Sequence, residues 1–385
     1  MWIYFVVILL SSIFIYLEQR SVKIKIKTKS REYELIGIFG WLGIILPSII
    51  AGARDYSVGS DTSGYGIGVF EIAKNNSFFD FFNAKNIYVK NVEPLYRVFV
   101  YVIAKIFGNV FWQFFFIEFI ICYFIYKSLR NLKDRYAWVG YYIFLTFFFP
   151  FTLNLMRQSI SIAIILYGFK YVRERKIKQY TLVIIIASFI QMMSVVGLLI
   201  YPLYYICTGR VRTKTKNINK LFNKHRKLVD GLLVLASCFI IILMPKLITI
   251  FSVLKDSYGY QLVHMNKTYN PSITVFILMT LTVMPFILQY RRDVKLDRDY
   301  NFYTMVLIMS TILWQVTGVS QESYRVILPL WGILMIAVPK LITVSKYTIV
   351  IFGYYIVLGI LYFIILFVRL GVNNIYPYAS RILGV

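Results

Sequence analysis

Long apolar stretches alternate with short polar segments along almost all of the 385 residues. A helix needs about 20 predominantly apolar residues to cross the hydrocarbon core of a bilayer, so the pattern predicts about twelve transmembrane helices. We expect them near residues 1–17, 35–51, 110–127, 136–151, 156–172, 179–192, 194–207, 229–246, 272–290, 301–317, 325–343 and 346–368. The predicted fold class is an all-α polytopic membrane protein, with a single transmembrane domain over residues 1–385.

Two predicted connections are much longer than the others, at residues 52–109 and 247–271. Long loops in compact proteins are often functional. Within the first, residues 94–107 are apolar but include Arg97 and Lys105. This segment is predicted to be an amphipathic helix that lies on the membrane surface without crossing it.

Composition supports a membrane protein. The chain is 59% hydrophobic and 15% charged, whereas soluble domains have about 25% charged residues. The net charge of +25 could indicate a nucleic-acid partner. The basic residues, however, form short clusters between apolar runs, so we expect them to contact anionic membrane lipids and expect no nucleic acid.

Basic residues also predict the orientation of the chain. The loops at 18–34, 127–135, 170–178, 208–228, 291–299 and 340–346 contain 29 of the 42 Lys and Arg residues, which leaves 13 elsewhere. Because cytoplasmic loops are enriched in Lys and Arg, these six loops are predicted to be cytoplasmic. Both termini and the two long loops are then outside.

Four polar segments fall on this predicted outer side, at residues 52–65, 93–97, 154–158 and 321–325. Each has an ordinary explanation on its own: a local Arg54–Asp55 pair in a solvated loop, a helix start at Pro94, or an arginine that extends to the headgroups. Ionisable residues at the ends of transmembrane helices are nevertheless functional candidates. Their convergence on one side predicts a single external site.

The residue types in these segments suit a lipid-linked phosphosugar. Arginines offer forked donors to phosphate oxygens, and the candidates are Arg54, Arg157 and Arg325. Carboxylates can accept a proton or orient hydroxyls, and the candidates are Asp55, Asp61, Glu93 and Glu322. Tyrosines can stack on sugar rings, although an aromatic belt at the membrane surface is the ordinary alternative; the candidates are Tyr65, Tyr96 and Tyr324. Asn154 and Gln158 are predicted to help position the substrate.

Other kinds of chemistry find little support in the sequence. The two histidines, His225 and His264, are predicted to lie on opposite sides of the membrane, so neither a His-based metal site nor a Ser-His-Asp triad is expected. No P-loop or Gly-x-Gly-x-x-Gly pattern precedes a helix. We therefore expect no metal and no cofactor.

The ordered motifs resemble the bacterial EpsG-like and Wzy-type polysaccharide polymerases, which make O-antigen, capsule or exopolysaccharide. The motifs are Gly52-Ala-Arg54, Val58-Gly-Ser-Asp61-Thr-Ser-Gly-Tyr65, Glu93-Pro-Leu-Tyr96, Asn154-Leu-Met-Arg157-Gln158 and Tyr324-Arg325. The resemblance covers about residues 1–340 by span count and motif order. One departure is Ile190-Gln191-Met192-Met193-Ser194, where the family often shows Phe-His-x-Ser, so no catalytic role is transferred to that turn.

The resemblance implies a GT-C-like glycosyltransferase in the bacterial inner membrane, with its active site facing the periplasm. It implies undecaprenyl-pyrophosphate-linked oligosaccharides as donor and acceptor, and a chain-length regulator protein as a further partner. Arg157 and Arg325 would then stabilise the leaving pyrophosphate, and Asp61 or Glu93 would act as the base.

Two other functions stay open at this point. A lipid-linked oligosaccharide flippase or other transporter would share the basic, many-spanned character, but should show paired halves and polar groups at mid-membrane depth. A membrane transferase resembling the O-antigen ligases would share an external arginine site.

Overall fold

The computed structural model describes residues 1–21, 25–27, 32–209, 225–254, 272–297, 299–315 and 324–385. The first half contains α1 (Trp2–Arg20), β1 (Lys25–Lys27), β2 (Glu32–Glu34), α2 (Ile38–Ala53), α3 (Val69–Asn75), α4 (Phe78–Phe82), α5 (Ile87–Lys90), α6 (Pro94–Phe107), α7 (Val110–Asn131), α8 (Ala137–Ile143) and α9 (Phe149–Thr152). The second half contains α10 (Met156–Arg173), α11 (Ile177–Ile190), α12 (Ile200–Thr208), α13 (Arg226–Leu254), α14 (Ile273–Leu296), α15 (Asp299–Leu313), α16 (Tyr324–Trp331), α17 (Leu334–Val344) and α18 (Thr348–Phe363).

Short segments of tighter or wider helix join some of these elements. They are the π-helical segments Thr62–Gly68, Phe144–Phe148 and Ile364–Arg369, and the 3-10 segments Met192–Leu199 and Val372–Asn374.

Described helices coincide with most of each predicted apolar span. Among the described residues, five helical stretches are long and apolar enough to cross a membrane: Trp2–Arg20, Val110–Asn131, Ile273–Tyr290, Arg325–Val344 and Thr348–Arg369. Shorter apolar helical stretches include Ile38–Ala53, Ala137–Thr152, Ile177–Ile190 and Met192–Thr208. The largely helical membrane fold is confirmed, and the number of twelve crossings stays a prediction.

The structure corrects three details of the predicted connections. The loop at 18–34 contains an antiparallel two-stranded hairpin of β1 and β2, which the all-α prediction did not include. In the connection at 52–109 the predicted helix over 94–107 is present as α6, and the helices α3, α4 and α5 were not predicted. In the predicted loop at 247–271, residues 247–254 continue helix α13, and residues 255–271 lie outside the described part.

Local sequence signals explain where α6 begins and ends and where α7 begins. Pro94 occupies the first turn of α6, where its missing N–H costs no helical hydrogen bond. Gly108 ends the helix with a left-handed φ of 62°, a conformation that glycine adopts without a steric cost. Asn109 then caps α7, because its side-chain oxygen accepts a hydrogen bond from the N–H of Phe111 at 2.8 Å.

Helices α7 and α10 pack against each other in parallel, so their first and last turns mark the two ends of the bundle. At their first turns, a Cβ on Gly66 would meet both Phe114 and Met156. Near their last turns, the Ser128 hydroxyl donates to the carbonyl of Leu166 at 3.0 Å. We call the end with the first turns the site end and the other the far end. Described parts of three loops predicted to be cytoplasmic meet at the far end, where the Gln19 side chain donates to the carbonyl of Asp134 at 2.5 Å and the Thr343 hydroxyl donates to Asp134 Oδ1 at 2.6 Å.

The C-terminal segment returns to the site end and packs against α1 and α2. Tyr4 donates a hydrogen bond to the carbonyl of Ile375 at 2.7 Å, and Tyr378 donates to that of Ile50 at 2.9 Å. The Ser380 hydroxyl donates to the carbonyl of Ala53 at 2.6 Å. These bonds fix residues 375–380 against the start of the loop that follows α2.

Sidedness can be tested with single cysteines at exposed positions of the two ends. In a Cys238→Ser background, which leaves only the buried Cys122 and Cys207, Ser57→Cys should react with an impermeant maleimide in intact spheroplasts. Lys178→Cys at the far end should react only after the membrane is permeabilised, because Lys and Arg are retained on the cytoplasmic side. The reverse labelling pattern would contradict the predicted orientation.

Candidate functional site

A small polar pocket lies at the site end, where five separate parts of the chain meet. Its volume is about 20 Å³, which is room for about one water molecule. Its lining residues are Asp61, Tyr65, Tyr96, Asn154, Leu155, Met156, Arg157, Gln158, Gln191 and Arg325. Seven of the predicted site residues therefore share one pocket, and an eighth, Glu93, binds one of its arginines.

The first ion pair of the pocket joins Arg157 to Glu93. Arg157 Nη1 lies 2.5 Å from Glu93 Oε2, and the two side chains are 16% and 12% exposed. The same nitrogen also donates to the carbonyl of Asn91 at 3.1 Å, and the guanidinium lies 5.0 Å from the centre of the Tyr65 ring. Glu93 Oε1 accepts a hydrogen bond from the N–H of Met192 at 3.1 Å. Glu93 thus ties α6, α10 and the turn after α11 together.

The second ion pair is longer and more exposed. Arg325 Nη2 lies 3.4 Å from Asp61 Oδ2, and the side chains are 26% and 29% exposed. Arg325 begins α16, and its carbonyl accepts a hydrogen bond from the side-chain amide of Gln158. Gln158 therefore anchors the helix start that supplies this arginine.

Asn154 holds the loop that contains Asp61. The Asn154 side chain is buried, and its oxygen accepts hydrogen bonds from the N–H of Asp61 at 2.7 Å and the hydroxyl of Ser60 at 3.1 Å. Its amide nitrogen donates to the side-chain oxygen of Asn373 at 3.2 Å. At Gly59, φ is +94° and a Cβ would lie 2.9 Å from the carbonyl of Leu153. Only glycine lets the loop approach the turn before α10 this closely.

Tyr96 contributes a buried phenol to the pocket. The residue is 1% exposed and lies in the first turn of α6. Burial raises the pKa of Tyr96 to about 12. The hydroxyl therefore stays protonated at physiological pH and can donate a hydrogen bond.

Two predicted site residues are placed away from the pocket. Arg54 is 5% exposed and lies beneath it, where Nη1 donates to the carbonyl of Ala51 at 3.0 Å and the guanidinium lies 4.0 Å from the centre of the Phe114 ring. The buried carboxylate of Glu118 attracts this guanidinium electrostatically. Asp55 binds the C-terminal segment, since its Oδ1 accepts from the N–H of Arg381 at 3.1 Å. Neither residue is positioned to contact a ligand in the pocket.

The remaining predicted residues, Glu322 and Tyr324, belong to the fourth predicted segment, residues 321–325. Glu322 lies outside the described residues, and Tyr324 is the first residue of α16. The fourth predicted segment therefore reaches the pocket through Arg325.

Two residues of this region were not among the predicted ones. Gln191 lines the pocket at the position where the family motif often has a histidine. This departure from the motif was the one feature of the sequence that could have indicated a role for Gln191. Asn373 supports Asn154 from the C-terminal segment with a left-handed φ of 68°. Asparagine tolerates this conformation better than most residues, but one Asn-Asn pair in a sequence is too weak a signal to place it at a site.

The pocket combines two cations and two carboxylates with neutral donors. In the described part of the chain, His, Cys, Asp and Glu side chains form no group of three or more that could hold a metal ion. The arrangement is suited to binding an anion through forked arginine donors while a nearby carboxylate accepts a proton.

Comparison with known proteins gave one result. The model of the EpsG family matches residues 38–380, a range that includes every residue of the pocket. No curated protein and no solved structure matched the chain.

The link from the C-terminal segment to Asp61 can be tested by removing one amide. Asn373→Gly keeps the left-handed backbone and the carbonyl that accepts from Ser60 N–H, but removes the partner of Asn154. A hydrogen bond is worth about 0.5–1.5 kcal/mol net, so backbone amides of residues 59–65 should exchange several-fold faster by hydrogen-exchange mass spectrometry. Asn154→Ala should accelerate exchange further, because it removes two acceptor contacts.

Asn374→Gly is the matched control. Asn374 also has a positive φ, of 51°, and also contacts the loop through its carbonyl, which accepts from Gly59 N–H. Exchange in residues 59–65 should stay at the wild-type rate in this variant. Equal acceleration in both glycine variants would show that the backbone, and not the Asn373 amide, holds the loop.

Proposed function

Because the chain belongs to the EpsG family of polysaccharide polymerase-like membrane proteins, we propose that it is a glycosyltransferase that joins lipid-linked oligosaccharide repeat units. The proposed donor and acceptor are undecaprenyl-pyrophosphate-linked glycans at the periplasmic face of the bacterial inner membrane. The site end would face the periplasm, in agreement with the distribution of Lys and Arg along the sequence.

One observation carries this proposal: two arginines of one pocket are each bound to a carboxylate of the same chain. A diphosphate has the charge and the oxygen geometry to replace both carboxylates, since guanidinium forks bind phosphate and carboxylate in the same way. With a volume of about 20 Å³, the pocket has no room for a sugar while both ion pairs are formed. We propose that the arriving pyrophosphate binds Arg157 and Arg325, and that Glu93 and Asp61 are released.

This exchange would assemble the catalytic groups. The acceptor hydroxyl oxygen forms a bond to C1 of the donor sugar as the bond from C1 to the lipid pyrophosphate breaks. The pyrophosphate leaves with the bonding electron pair, and Arg157 and Arg325 stabilise its developing charge. The hydroxyl proton passes to a carboxylate of the pocket. Binding both lipid-linked substrates side by side would supply part of the rate through proximity.

Asp61 is the better candidate for the base. Its side chain is 29% exposed, and its contact to Arg325, at 3.4 Å, is long for a charge-assisted hydrogen bond. Its backbone is held by Asn154, so the carboxylate keeps its place after the arginine is taken by a ligand. Glu93 instead bridges Arg157 and the N–H of Met192, which favours an organising role.

The placement of the polar residues favours a transferase over a transporter. A transporter should have its binding groups near the middle of the membrane. Here all ten pocket residues lie at one end of the bundle, at the ends of helices or in the connections between them.

Conservative arginine variants test the pyrophosphate assignment. Arg157→Lys and Arg325→Lys keep the positive charge but replace a planar fork by a point charge. We expect each to lower kcat/KM for polymer formation by at least about tenfold, or 1.4 kcal/mol. The assay is conversion of purified lipid-linked repeat units to polymer in proteoliposomes.

Arg97→Lys is the matched control at the same end. Arg97 lies on α6, contacts the ring and carbonyl of Phe82, and does not line the pocket. Its lysine variant should retain wild-type turnover. Similar activity of all three lysine variants would argue against pyrophosphate binding in this pocket.

Amide variants of the two carboxylates separate their roles. Asp61→Asn should slow turnover by about 10²–10⁴-fold, because the amide cannot accept the proton. Its binding of the lipid-linked substrate should be unchanged or tighter, since a competing internal anion is lost. Glu93→Gln should mainly lower thermal stability, because it loosens the contacts to Arg157 and Met192, while its substrate binding should also be unchanged or tighter.

Substrate binding, turnover and melting temperature should be measured on the same preparations. Full turnover by the Asp61 variant would remove that residue from the mechanism. Loss of turnover without loss of stability in the Glu93 variant would assign the base to Glu93 instead.

A further inference from the structure

A second, much larger cavity opens at the far end of the bundle. Its volume is about 750 Å³, and its described lining comes from α1, α7, the connection after α7, α8 and the last turns of α10. Lys170, which lines it, is 13 residues from Arg157 on the same helix. At 1.5 Å per residue, the two sites lie about 20 Å apart along α10.

Basic side chains from two parallel helices and a loop converge on this cavity. The five basic lining residues are Lys127, Arg130, Lys133, Arg135 and Lys170. Lys127 and Arg130 in α7 and Lys170 in α10 are half-buried. The ammonium of Lys170 lies 3.7 Å from the centre of the Tyr167 ring, and the guanidinium of Arg135 lies 4.7 Å from that of Tyr136. Aromatic rings thus hold both cations at defined positions.

The three carboxylates that line the cavity take most of their hydrogen bonds and ion pairs from groups outside its described lining. The exception is Tyr126, whose hydroxyl donates to Glu18 Oε1 at 3.3 Å and accepts from Arg130 Nη1 at 3.4 Å. Glu18 accepts hydrogen bonds from the N–H groups of Gly37 at 2.8 Å and Gly40 at 3.1 Å, at the start of α2. Asp134 accepts from the hydroxyl of Thr343 at 2.6 Å and the N–H of Tyr136 at 2.9 Å. Glu174 forms an ion pair of 2.6 Å with Lys176.

These bonds reduce the negative charge that the carboxylates would present to a ligand in the cavity. Glu18 and Asp134 are 8% exposed, and their oxygens are used to hold α1, α2 and α17 in place. Their negative charge is partly compensated by the N–H and O–H donors that they accept from. The described lining of the cavity contains five basic and three acidic side chains, so its formal charge is positive.

Positive charge at the C-terminal ends of helices also has an ordinary explanation. Cations are favourable near the negative end of a helix dipole, and Lys and Arg residues orient membrane proteins. Neither effect requires the cations to be half-buried around one common cavity of about 750 Å³. Cavities of about 300–1,000 Å³ are typical of small-molecule sites.

We propose that the far-end cavity is a second ligand site, specific for a phosphate group. The half-buried cations Lys127, Arg130 and Lys170 would bind the phosphate oxygens, and Trp138 and Tyr126 would pack on the less polar part of the same ligand. The phosphate could belong to an anionic lipid headgroup or to a soluble anion. This proposal does not depend on the reaction at the site end.

Two charge-matched double variants test it. Arg130→Gln with Lys170→Gln removes two lining cations, and Arg175→Gln with Lys178→Gln removes two exposed cations of the same end that do not line the cavity. Both pairs lower the positive charge of the predicted cytoplasmic side equally. Any change in membrane orientation or general attraction to anions should therefore be the same in both.

The first measurement uses nanodiscs of phosphatidylcholine with phosphatidylglycerol. Native mass spectrometry should show phosphatidylglycerol retained by the wild type and the control pair, and lost from the lining pair. The second uses nanodiscs of phosphatidylcholine alone, with inorganic pyrophosphate added, and all three proteins carry Arg157→Gln and Arg325→Gln so that binding at the site-end pocket does not contribute. If the natural phosphate is soluble, the lining pair should bind pyrophosphate at least about tenfold more weakly than the control pair.

Each outcome decides the proposal. A difference between the two pairs in the lipid experiment assigns a headgroup, and a difference only in the pyrophosphate experiment assigns a soluble anion. Equal binding by all three proteins in both experiments would overturn the proposal. Equal loss in both pairs would overturn it too, because the whole basic end would then act without a defined site.

Discussion

The membrane confines charge to the ends of the helices, and the rest of the architecture follows from this constraint. An ionised side chain in the apolar part of a bilayer costs several kcal/mol unless it is paired. The polar groups of this chain therefore collect at the two ends of the parallel helices α7 and α10. One end has the paired arginines and carboxylates, and the other has the basic cavity.

Arg54 and Glu118 are the informative exceptions, because both are buried beneath the pocket. The Glu118 carboxylate accepts a hydrogen bond from the Thr152 hydroxyl at 2.5 Å, and it attracts the Arg54 guanidinium. A buried charge persists when opposite charge and hydrogen bonds compensate it. Arg54 supports the pocket from below, since its guanidinium contacts the sulfur of Met156, the residue next to Arg157.

The two ion pairs of the pocket compensate the charge of its arginines within the chain. Without the carboxylates, the positive charges of Arg157 and Arg325 would repel each other in this half-buried pocket. Glu93 and Asp61 compensate these two positive charges. The same compensation lowers the net gain from binding an anion, because a ligand must first replace a carboxylate. Under the proposed function, a diphosphate would be favoured over a single phosphate, since one ligand could contact both arginines together.

The sequence by itself determined the class of protein, the positions of the apolar helices and the polar segments that meet at the site. Hydropathy and the distribution of Lys and Arg depend on the free energy of moving each short segment from water into the membrane, and this can be read directly from the sequence. Which residues touch was decided only by the tertiary structure. Arg54 and Arg157 are equally polar in the sequence, yet packing buries one beneath the pocket and leaves the other inside it. The hydrogen bond between Asn154 and Asn373 joins residues 219 positions apart in the chain, and no local sequence pattern predicts such a contact.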